Sequence, residues 1–339
     1  MNTTPRNRGV RQKCIPLDSP AEWKAALQRI RHGFAHTWEN CYAMHLTTGF
    51  TTYLYCFETD NACVVCPIAE REFEGHIDIV TPYGFSGFVG SAHCPQFPLS
   101  WRQFVKERGY VCGYIALNPI FETNDYSNPK ETYRSNTLYF LDLTLGMDKL
   151  FSNLHKNRKR ELKDFDKTVF VLDEDPLLNF FLDTYPEFLR RVQASSASYF
   201  TRETLRSLCR LNNVVMVGAG AAEKIEAVYI FAHTPHASDC LFNVAVPKGR
   251  HHATSLLWWG VNYLKSQNIP VLNLGGGVRE NDSIARSKEF FGAIKLPFRA
   301  LKQVYDPELY EELCRRRGAD PADKTGYFPG YRSPALQVN

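Results

Sequence analysis

The order of secondary-structure signals repeats along this 339-residue chain, and this repeat constrains the fold more than any other feature. In the first half, helical patterns are followed by three β-branched and aromatic runs, a helix and a further strand. The same order recurs in the second half. We therefore predict an α+β fold with two similar units, each with a central sheet covered by helices.

The predicted elements have the following limits. In the first half we expect helices at 19–31 and 37–46, strands at 51–57, 62–68 and 77–81, a helix at 100–108 and a strand at 110–117. In the second half we expect a strand at 138–143, helices at 175–193 and 201–211, strands at 214–217, 225–232 and 240–246, a helix at 254–266, a strand at 271–274, a helix at 282–291, a strand at 298–304 and a helix at 307–317. These limits predict domains at 14–145 and 146–317, with tails at 1–13 and 318–339.

The composition is that of a globular protein with a nearly balanced charge. The chain has 40 Lys and Arg against 36 Asp and Glu, a net charge of +4, and 44% apolar residues. This balance argues against a dedicated nucleic-acid binder, so no DNA partner is expected. The basic N-terminus is followed by no apolar signal-peptide core, and no run reaches the ~18 apolar residues of a membrane span. We expect a cytoplasmic protein.

The ten cysteines are scattered among apolar neighbours, which suits a reducing compartment. Cys63 and Cys66 form a CxxC motif, but no second pair or histidine follows at zinc-ligand spacing. Metal or redox chemistry remains the alternative at this motif. Because the surrounding run is apolar, we expect core residues of a strand and predict no metal site.

The segment 271–292 is the strongest candidate for a functional site. A buried strand leads into Gly275-Gly276-Gly277, where the backbone can approach a ligand closely. Asp282 then caps a predicted helix that carries Arg286 and Lys288 in its first turns. Exposed backbone N–H groups and two cations at one mouth would suit an anion or an oxyanion. The alternative is a flexible turn with solvated charges.

Three further segments allow both a functional and a structural interpretation. The basic run 155–163 is either a phosphate-binding helix or a solvated helix face. The segment 248–253 lies where acyl-CoA enzymes bind pyrophosphate, but His251 and His252 suit a surface loop equally well. The segment 81–87 is either a structural turn that holds Tyr83 at a sheet edge or a turn that presents Tyr83 to substrate. No nucleophile motif supports covalent catalysis.

Several motifs together resemble those of the Fem-type transferases and their GNAT-related relatives in the polysaccharide-cluster branch. They are TPYGFSG at 81–87, IALNP at 115–119, NLHKNRKRELK at 153–163, YPEFLRRVQASSASYF at 185–200 and LNLGGGVRENDSIARSKEFFG at 272–292. The resemblance covers residues 14–315. It implies tandem GNAT-like acyltransferase domains, each with a mixed or antiparallel sheet flanked by helices, and transfer of an acyl or aminoacyl group to an amine.

The resemblance also implies residue roles. Lys288 matches the lysine that the family places near the transferred group, while Arg191, Tyr199 and Phe200 match a helix that lines the substrate. Two features depart from the family pattern. Ser287 stands where an aromatic residue is usual, and the long helical arm that true Fem enzymes insert for tRNA is missing.

We therefore predict an acyltransferase whose acceptor is an amine of a sugar, a cell-envelope precursor or a small molecule. Lys288 would stabilise the charge of the transition state, with close backbone approach at Gly276 and Gly277. The residues predicted to bind donor or acceptor are Tyr83, Asn118, Arg191, Tyr199, Phe200, Asn243, Asp282 and Arg286.

The identity of the donor is left open, with no permanently bound cofactor expected. Acyl-CoA is slightly favoured as co-substrate, and aminoacyl-tRNA, bound through the basic run 155–163, is the alternative. A different class, a non-catalytic GNAT-like binding protein, is the second alternative.

Overall fold

The computed structural model describes residues 9–121, 125–221, 224–277 and 281–334. The chain forms two compact units. Unit 1 comprises residues up to 45, residues 49–135 and residues from 298 onward, and unit 2 comprises residues 46–48 and 136–297. Outside the described residues lie 1–8 and 335–339 of the predicted tails and 278–280 of the glycine-rich segment.

The helices and strands of the first half include the predicted elements in the predicted order, together with β1 and β5, which the sequence analysis did not predict. They are β1 (Arg11–Pro16), α1 (Pro20–Leu27), α2 (Trp38–Thr48), β2 (Thr51–Glu58), β3 (Cys63–Phe73), β4 (His76–Val80), β5 (Val89–Gly90), α3 (Phe97–Glu107), β6 (Cys112–Ala116) and β7 (Thr132–Asp142). The hydroxyl of Thr37 accepts a hydrogen bond from the Asn40 N–H and caps α2.

The remaining elements repeat that order. They are α4 (Met147–Asn153), α5 (Lys156–Glu161), β8 (Phe170–Val171), α6 (Glu174–Arg191), α7 (Arg202–Cys209), β9 (Val214–Ala221), β10 (Lys224–His233), β11 (Ser238–Ala245), α8 (Ala253–Ser266), β12 (Val271–Gly276), α9 (Ser283–Glu289), β13 (Ile294–Val304) and α10 (Pro307–Arg316). The predicted cap of α7 is present, because Thr201 accepts from the Thr204 N–H.

Each unit has a mixed sheet with the same pattern of pairing. In unit 1 the strand order is β1-β2-β3-β4-β6-β13, and in unit 2 it is β8-β9-β10-β11-β12-β7. The only parallel neighbours among these described strands are β4 with β6 and β11 with β12. A helix joins the parallel strands in both cases, α3 in unit 1 and α8 in unit 2. The predicted α+β class, with two similar units of sheet and helices, is confirmed.

The last strand of each sheet comes from the other half of the chain. β7 follows β6 in sequence but pairs with β12, and β13 follows α9 but pairs with β6. The predicted domain limits assigned residues 298–317 to the second unit, whereas their contacts place them in unit 1. Chain order alone cannot reveal this exchange, because each strand has the same hydrophobic pattern in either sheet.

Residues 318–334, predicted as part of a tail, are packed on unit 1. Phe328 and Tyr331 are buried beside α10 and β6. The buried carboxylate of Asp78 accepts hydrogen bonds from the Tyr331 hydroxyl at 2.9 Å and from Arg332 Nε at 2.5 Å. Because the chain folds back onto this carboxylate, its C-terminal segment is an integral part of unit 1 up to residue 334.

The hydrophobic core of unit 2 lies between α8 and the sheet. Its members include Tyr139, Leu162, Phe231, Leu256 and Phe291. None of the helices in the described ranges is long and apolar enough to cross a membrane.

Candidate active site

The glycine triplet at the end of β12 is held by amide side chains. Asn273 Oδ1 accepts a hydrogen bond of 2.8 Å from the Gly275 N–H, and Asn136 Nδ2 donates one of 2.9 Å to the Gly277 carbonyl oxygen. Gly275 has a φ of +74°, a conformation that glycine adopts without strain. Residues 275–277, which we call the glycine turn, thus form an irregular end of β12 where the register with β7 shifts, and the Gly277 carbonyl group is fixed in position.

Helix α9 returns the chain to this turn. Asp282 is its N-cap, and its carboxylate accepts a 2.7 Å hydrogen bond from the Ala285 N–H, as the sequence predicted. Lys288, near the end of α9, reaches back so that its Nζ donates a 2.5 Å hydrogen bond to the Gly276 carbonyl oxygen. Burial lowers the pKa of Lys288 to about 8, and the nearby Cys240 and Asp282 offset only part of this effect.

Lys288 borders a cavity of about 250 Å³ in unit 2. The residues that line it are Arg158, Tyr229, Cys240, Asn243, Ala253, Thr254, Leu257, Leu274, Ser283, Ile284, Ser287, Lys288 and Phe291. Two of these residues are cations, four carry hydroxyl groups, and most of the others are apolar. Such a cavity can hold a small organic group and place a polarised atom of it beside a positive charge.

Arg158 is the site residue that the sequence prediction missed. Its guanidinium donates to Thr254 Oγ1 at 2.7 Å and to Ser287 Oγ at 2.6 Å, and it lies over the Phe291 ring. The basic run 155–163 therefore has one arginine directed into the cavity, in addition to its exposed charges. The signal in the sequence was the i, i+4 spacing of Arg158 and Leu162, which places Arg158 on the same side of α5 as a buried leucine at the C-terminal end of that helix.

Ser287 is explained by this contact. The Fem-type pattern that the sequence resembles has an aromatic residue at this position, whereas here the small side chain accepts a hydrogen bond from Arg158 Nη2. A large ring at 287 would occupy the space of the guanidinium. The small residue at position 287 thus occurs together with an arginine that lines the same part of the cavity.

The polar residues behind the cavity carry perturbed pKa values. Burial raises the pKa of the Cys240 thiol to about 12, although Lys288 opposes the shift. Burial also raises the pKa of Asp239 to about 6, against a 2.9 Å hydrogen bond donated by Asn273 Nδ2. Cys240 is therefore a neutral thiol at physiological pH and a weak nucleophile.

The segment before α8 forms a 3₁₀ turn over residues 247–252. The N–H of Gly249 donates to the Val246 carbonyl at 2.9 Å, and the N–H of Ala253 donates to the Arg250 carbonyl. A side chain at Gly249 would collide with the Glu226 carbonyl oxygen, since a Cβ would lie 2.2 Å from it. Two of the N–H groups that a pyrophosphate would need are thus used within the turn.

The predicted site residues of unit 2 fall into two groups. Lys288 and Asn243 line the cavity, and Gly276 and Gly277 form the turn beside it. Arg286 is exposed to solvent. The prediction that Arg286 and Lys288 face one mouth is therefore not met, because the Lys288 side chain bends back to the glycine turn.

The three predicted residues at the end of α6 and after it lie elsewhere on unit 2. Arg191 donates a 2.8 Å hydrogen bond to the Ala245 carbonyl oxygen. The Phe200 ring packs edge-on against Phe242, and Tyr199 is exposed. These contacts fix the chain after α6, and the role of these residues in binding a substrate stays a prediction.

Tyr83 and Asn118 belong to unit 1. Tyr83 is 45% exposed. Asn118 is buried, donates to the Phe85 carbonyl oxygen at 2.9 Å and accepts from the Ile120 N–H at 3.0 Å. Asn118 thus has a structural role in its loop, and the predicted role of both residues in orienting an acceptor stays a prediction.

The fold is similar to that of several solved structures. FemX superposes with a TM-score of 0.68 at 10% sequence identity, over 89% of this chain and 99% of FemX. L-PGS from Bacillus licheniformis superposes with a TM-score of 0.55 at 13% sequence identity, over 85% of this chain and 92% of L-PGS. A C-terminal domain from Agrobacterium fabrum, assigned to a lysylphosphatidylglycerol synthetase, superposes with a TM-score of 0.53 at 13% sequence identity. The superposition covers 87% of this chain and 97% of that domain.

Comparisons with protein-family models and with curated protein sequences give no match. At these identities the similarity shows a shared fold, and the predicted resemblance to Fem-type proteins is confirmed at that level.

Proposed function

We propose that this protein transfers an acyl or aminoacyl group from an activated donor to an amine, and that the reaction occurs in the unit 2 cavity. The observation that carries this proposal is the position of Lys288. Its ammonium group borders the cavity and is held by one carbonyl oxygen at the glycine turn. A positive charge at this border can stabilise an oxygen that develops negative charge.

The chemistry follows from these groups. The neutral amine attacks the donor carbonyl carbon, a C–N bond forms, and the carbonyl oxygen becomes an oxyanion beside Lys288. When the tetrahedral intermediate collapses, the bond to the leaving oxygen or sulfur breaks. The amine proton goes to solvent, and the leaving atom takes a proton. A lysine with a pKa of about 8 can supply that proton at lower cost than an ordinary lysine.

Among the donors, we favour an aminoacyl ester over the acyl-CoA that the sequence slightly favoured. The 3₁₀ turn at 247–252 uses two of its own N–H groups, which weakens the case for pyrophosphate binding there. The name of the Agrobacterium fabrum neighbour denotes a lysyl group, which is an aminoacyl group. Both observations support an aminoacyl donor. We propose in addition that tRNA carries this group and that the acceptor is a cell-envelope component.

The donor is tested with hydroxylamine as a surrogate amine, because it converts both esters and thioesters into hydroxamates. The full-length protein is incubated with tRNAs charged with labelled amino acids, and in parallel with acetyl-CoA and longer acyl-CoAs. We expect protein-dependent hydroxamate formation from at least one aminoacyl-tRNA, and tRNA binding that weakens steeply with added salt.

Turnover with acyl-CoA alone would support the acyltransferase reaction and reject the aminoacyl donor. Binding of donors without any turnover would point to the non-catalytic alternative and would reject the proposed function.

A further inference from the structure

Three side chains of ligand type lie together on the hairpin formed by β2 and β3, in unit 1. Cys56 and Glu58 are two residues apart on β2, so their side chains share one face of the sheet. Cys63 is the direct partner of Glu58 in the antiparallel register, so it shares that face as well. We call Cys56, Glu58 and Cys63 the thiol–carboxylate cluster.

The CxxC motif of the sequence is thereby resolved into two different environments. Cys66 points to the opposite face of β3, where it is buried in the core of unit 1, as predicted. Cys63 is half-buried and faces Cys56 across the hairpin. The functional partner of Cys63 is therefore not the second cysteine of the motif.

The distances within the cluster match a tetrahedral metal site. The sulfur atoms of Cys56 and Cys63 are 3.7 Å apart, and the Cys56 sulfur is 3.4 Å from Glu58 Oε1. All three ligand atoms lie within 4.8 Å of one another. With Zn–S bonds of about 2.3 Å, two thiolates on a tetrahedral ion are separated by about 3.8 Å. The metal would thus fit with little movement of the hairpin.

We propose that the thiol–carboxylate cluster binds a divalent cation that prefers sulfur ligands, with Zn²⁺ as the natural example. Two thiolates and one carboxylate would bind the ion, and water would take the fourth position. Binding releases two protons, one from each thiol. Cys56 is fully buried whereas Glu58 and Cys63 are half-buried, which leaves the ion a path from solvent.

The neighbouring charges permit this site. Lys13 on β1 is the direct register partner of Cys56. Its Nζ lies 3.9 Å from Glu58 Oε1 but only 2.9 Å from Glu22 Oε1, so its main partner is Glu22. Lys13 would compete weakly with the metal for Glu58. Replacing it should tighten metal binding.

The proposal is tested by titrating the full-length protein with Co²⁺ after reduction with a phosphine, which does not bind the metal as thiols do. We expect one equivalent to bind, with a thiolate-to-cobalt charge-transfer band and the visible spectrum of tetrahedral Co²⁺, and Zn²⁺ to displace it. The band should be lost in Cys63→Ser, and Glu58→Gln should weaken binding about tenfold.

The Cys14→Ser variant is the matched control, because Cys14 is half-buried on β1 outside the cluster, and it should bind as the wild type does. Lys13→Gln should bind more tightly. Circular dichroism of Cys63→Ser establishes that its loss of binding is not a loss of fold.

Three results would overturn the proposal. They are the absence of a charge-transfer band in the reduced wild type, full binding by Cys63→Ser, and loss of binding in the Cys14→Ser control. A reduced protein that binds no metal but loses two hydrogens from Cys56 and Cys63 on mild oxidation would instead identify a disulfide pair.

Discussion

Lys288 and Gly276 are joined by a hydrogen bond of 2.5 Å from the lysine Nζ to the glycine carbonyl oxygen, across twelve residues of chain. This contact ties the end of α9 to the end of β12 and places the charge at the border of the cavity. The contact depends on the backbone conformation at the end of β12, where Gly275 has a φ of +74°. The conformation of the glycines and the position of the lysine side chain therefore depend on each other.

The burial of Lys288 predicts a pH-dependent effect on stability. Its folded pKa of about 8 is below the ordinary value of 10.5, so the unfolded chain binds more protons between these two values. The penalty for burying the charged amine is fully present below pH 8 and is relieved as the pH rises toward 10.5. The stability of Lys288→Met relative to wild type should therefore fall between pH 8 and pH 10, by about 1–2 kcal/mol after allowance for solvent screening.

This difference is measured by urea unfolding of both proteins at pH 7, 8, 9 and 10. A constant difference over that range would show that Lys288 titrates at its ordinary pKa and is not desolvated.

The burial of Asp239 predicts that the stability of the wild type falls as the pH rises in the acid range, the opposite of the effect of Lys288. Its folded pKa is raised by burial to about 6 from 3.8, so the folded protein holds a proton that the unfolded chain releases between these values. Stability from this group is lost as pH rises through that window. Asp239→Asn, which keeps an acceptor for Asn273, should gain about 1–2 kcal/mol relative to wild type between pH 4 and pH 7. Thermal unfolding across this range checks the trend, and an equal effect at both pH values would refute it.

Replacing Arg158 should lower the stability of the protein, and a lysine at this position should not restore it. Its guanidinium bridges Thr254 on α8 and Ser287 on α9, which a single ammonium group cannot do with the same geometry. Arg158→Met and Arg158→Lys should both lower the free energy of unfolding, by about 1–3 kcal/mol. Arg160→Met, on the exposed face of the same helix, is the control and should stay within about 0.5 kcal/mol of wild type. Equal stability of the Arg158 and Arg160 variants would contradict the bridging role.

The backbone conformation of Gly275 should make a side chain at this position destabilising. It has a φ of +74°, and a Cβ there would lie 3.3 Å from Lys288 Nζ. Gly275→Ala should cost about 1 kcal/mol or more of stability and displace the lysine. The matched control is Gly146→Ala, where φ is −61° and no atom lies within 4 Å of the added carbon. Chemical denaturation should separate the two variants, and equal stability would mean that the turn adapts to a side chain.

The element order of the fold could be predicted from sequence because its signals are local. The caps at Thr201 and Asp282, the apolar run of α8 and the glycine turn after β12 each depend on residues a few positions apart. The exchange of β7 and β13 could not be predicted, since strand pairing over more than a hundred residues leaves no local signal. The buried position of Tyr331 depends on Asp78, which is equally remote in sequence.

The candidate site was predicted in part for the same reason. Lys288 and its glycine turn lie within one segment, so their proximity follows from a strand, a turn and a helix. Arg158 reaches the cavity from α5, more than a hundred residues away, and its charge suggested a solvated face. Its i, i+4 spacing from the buried Leu162 was the only local signal of an inward position.

The most direct test of the central claim is the rate of hydroxamate formation by Lys288→Met, with the aminoacyl or acyl donor that the wild type uses. If the ammonium stabilises the oxyanion, kcat should fall about 10²- to 10³-fold while the variant stays folded. Lys288→Arg, which keeps a charge, should retain more activity than Lys288→Met. A folded Lys288→Met protein with the wild-type rate would contradict the assignment of this cavity as the site of transfer.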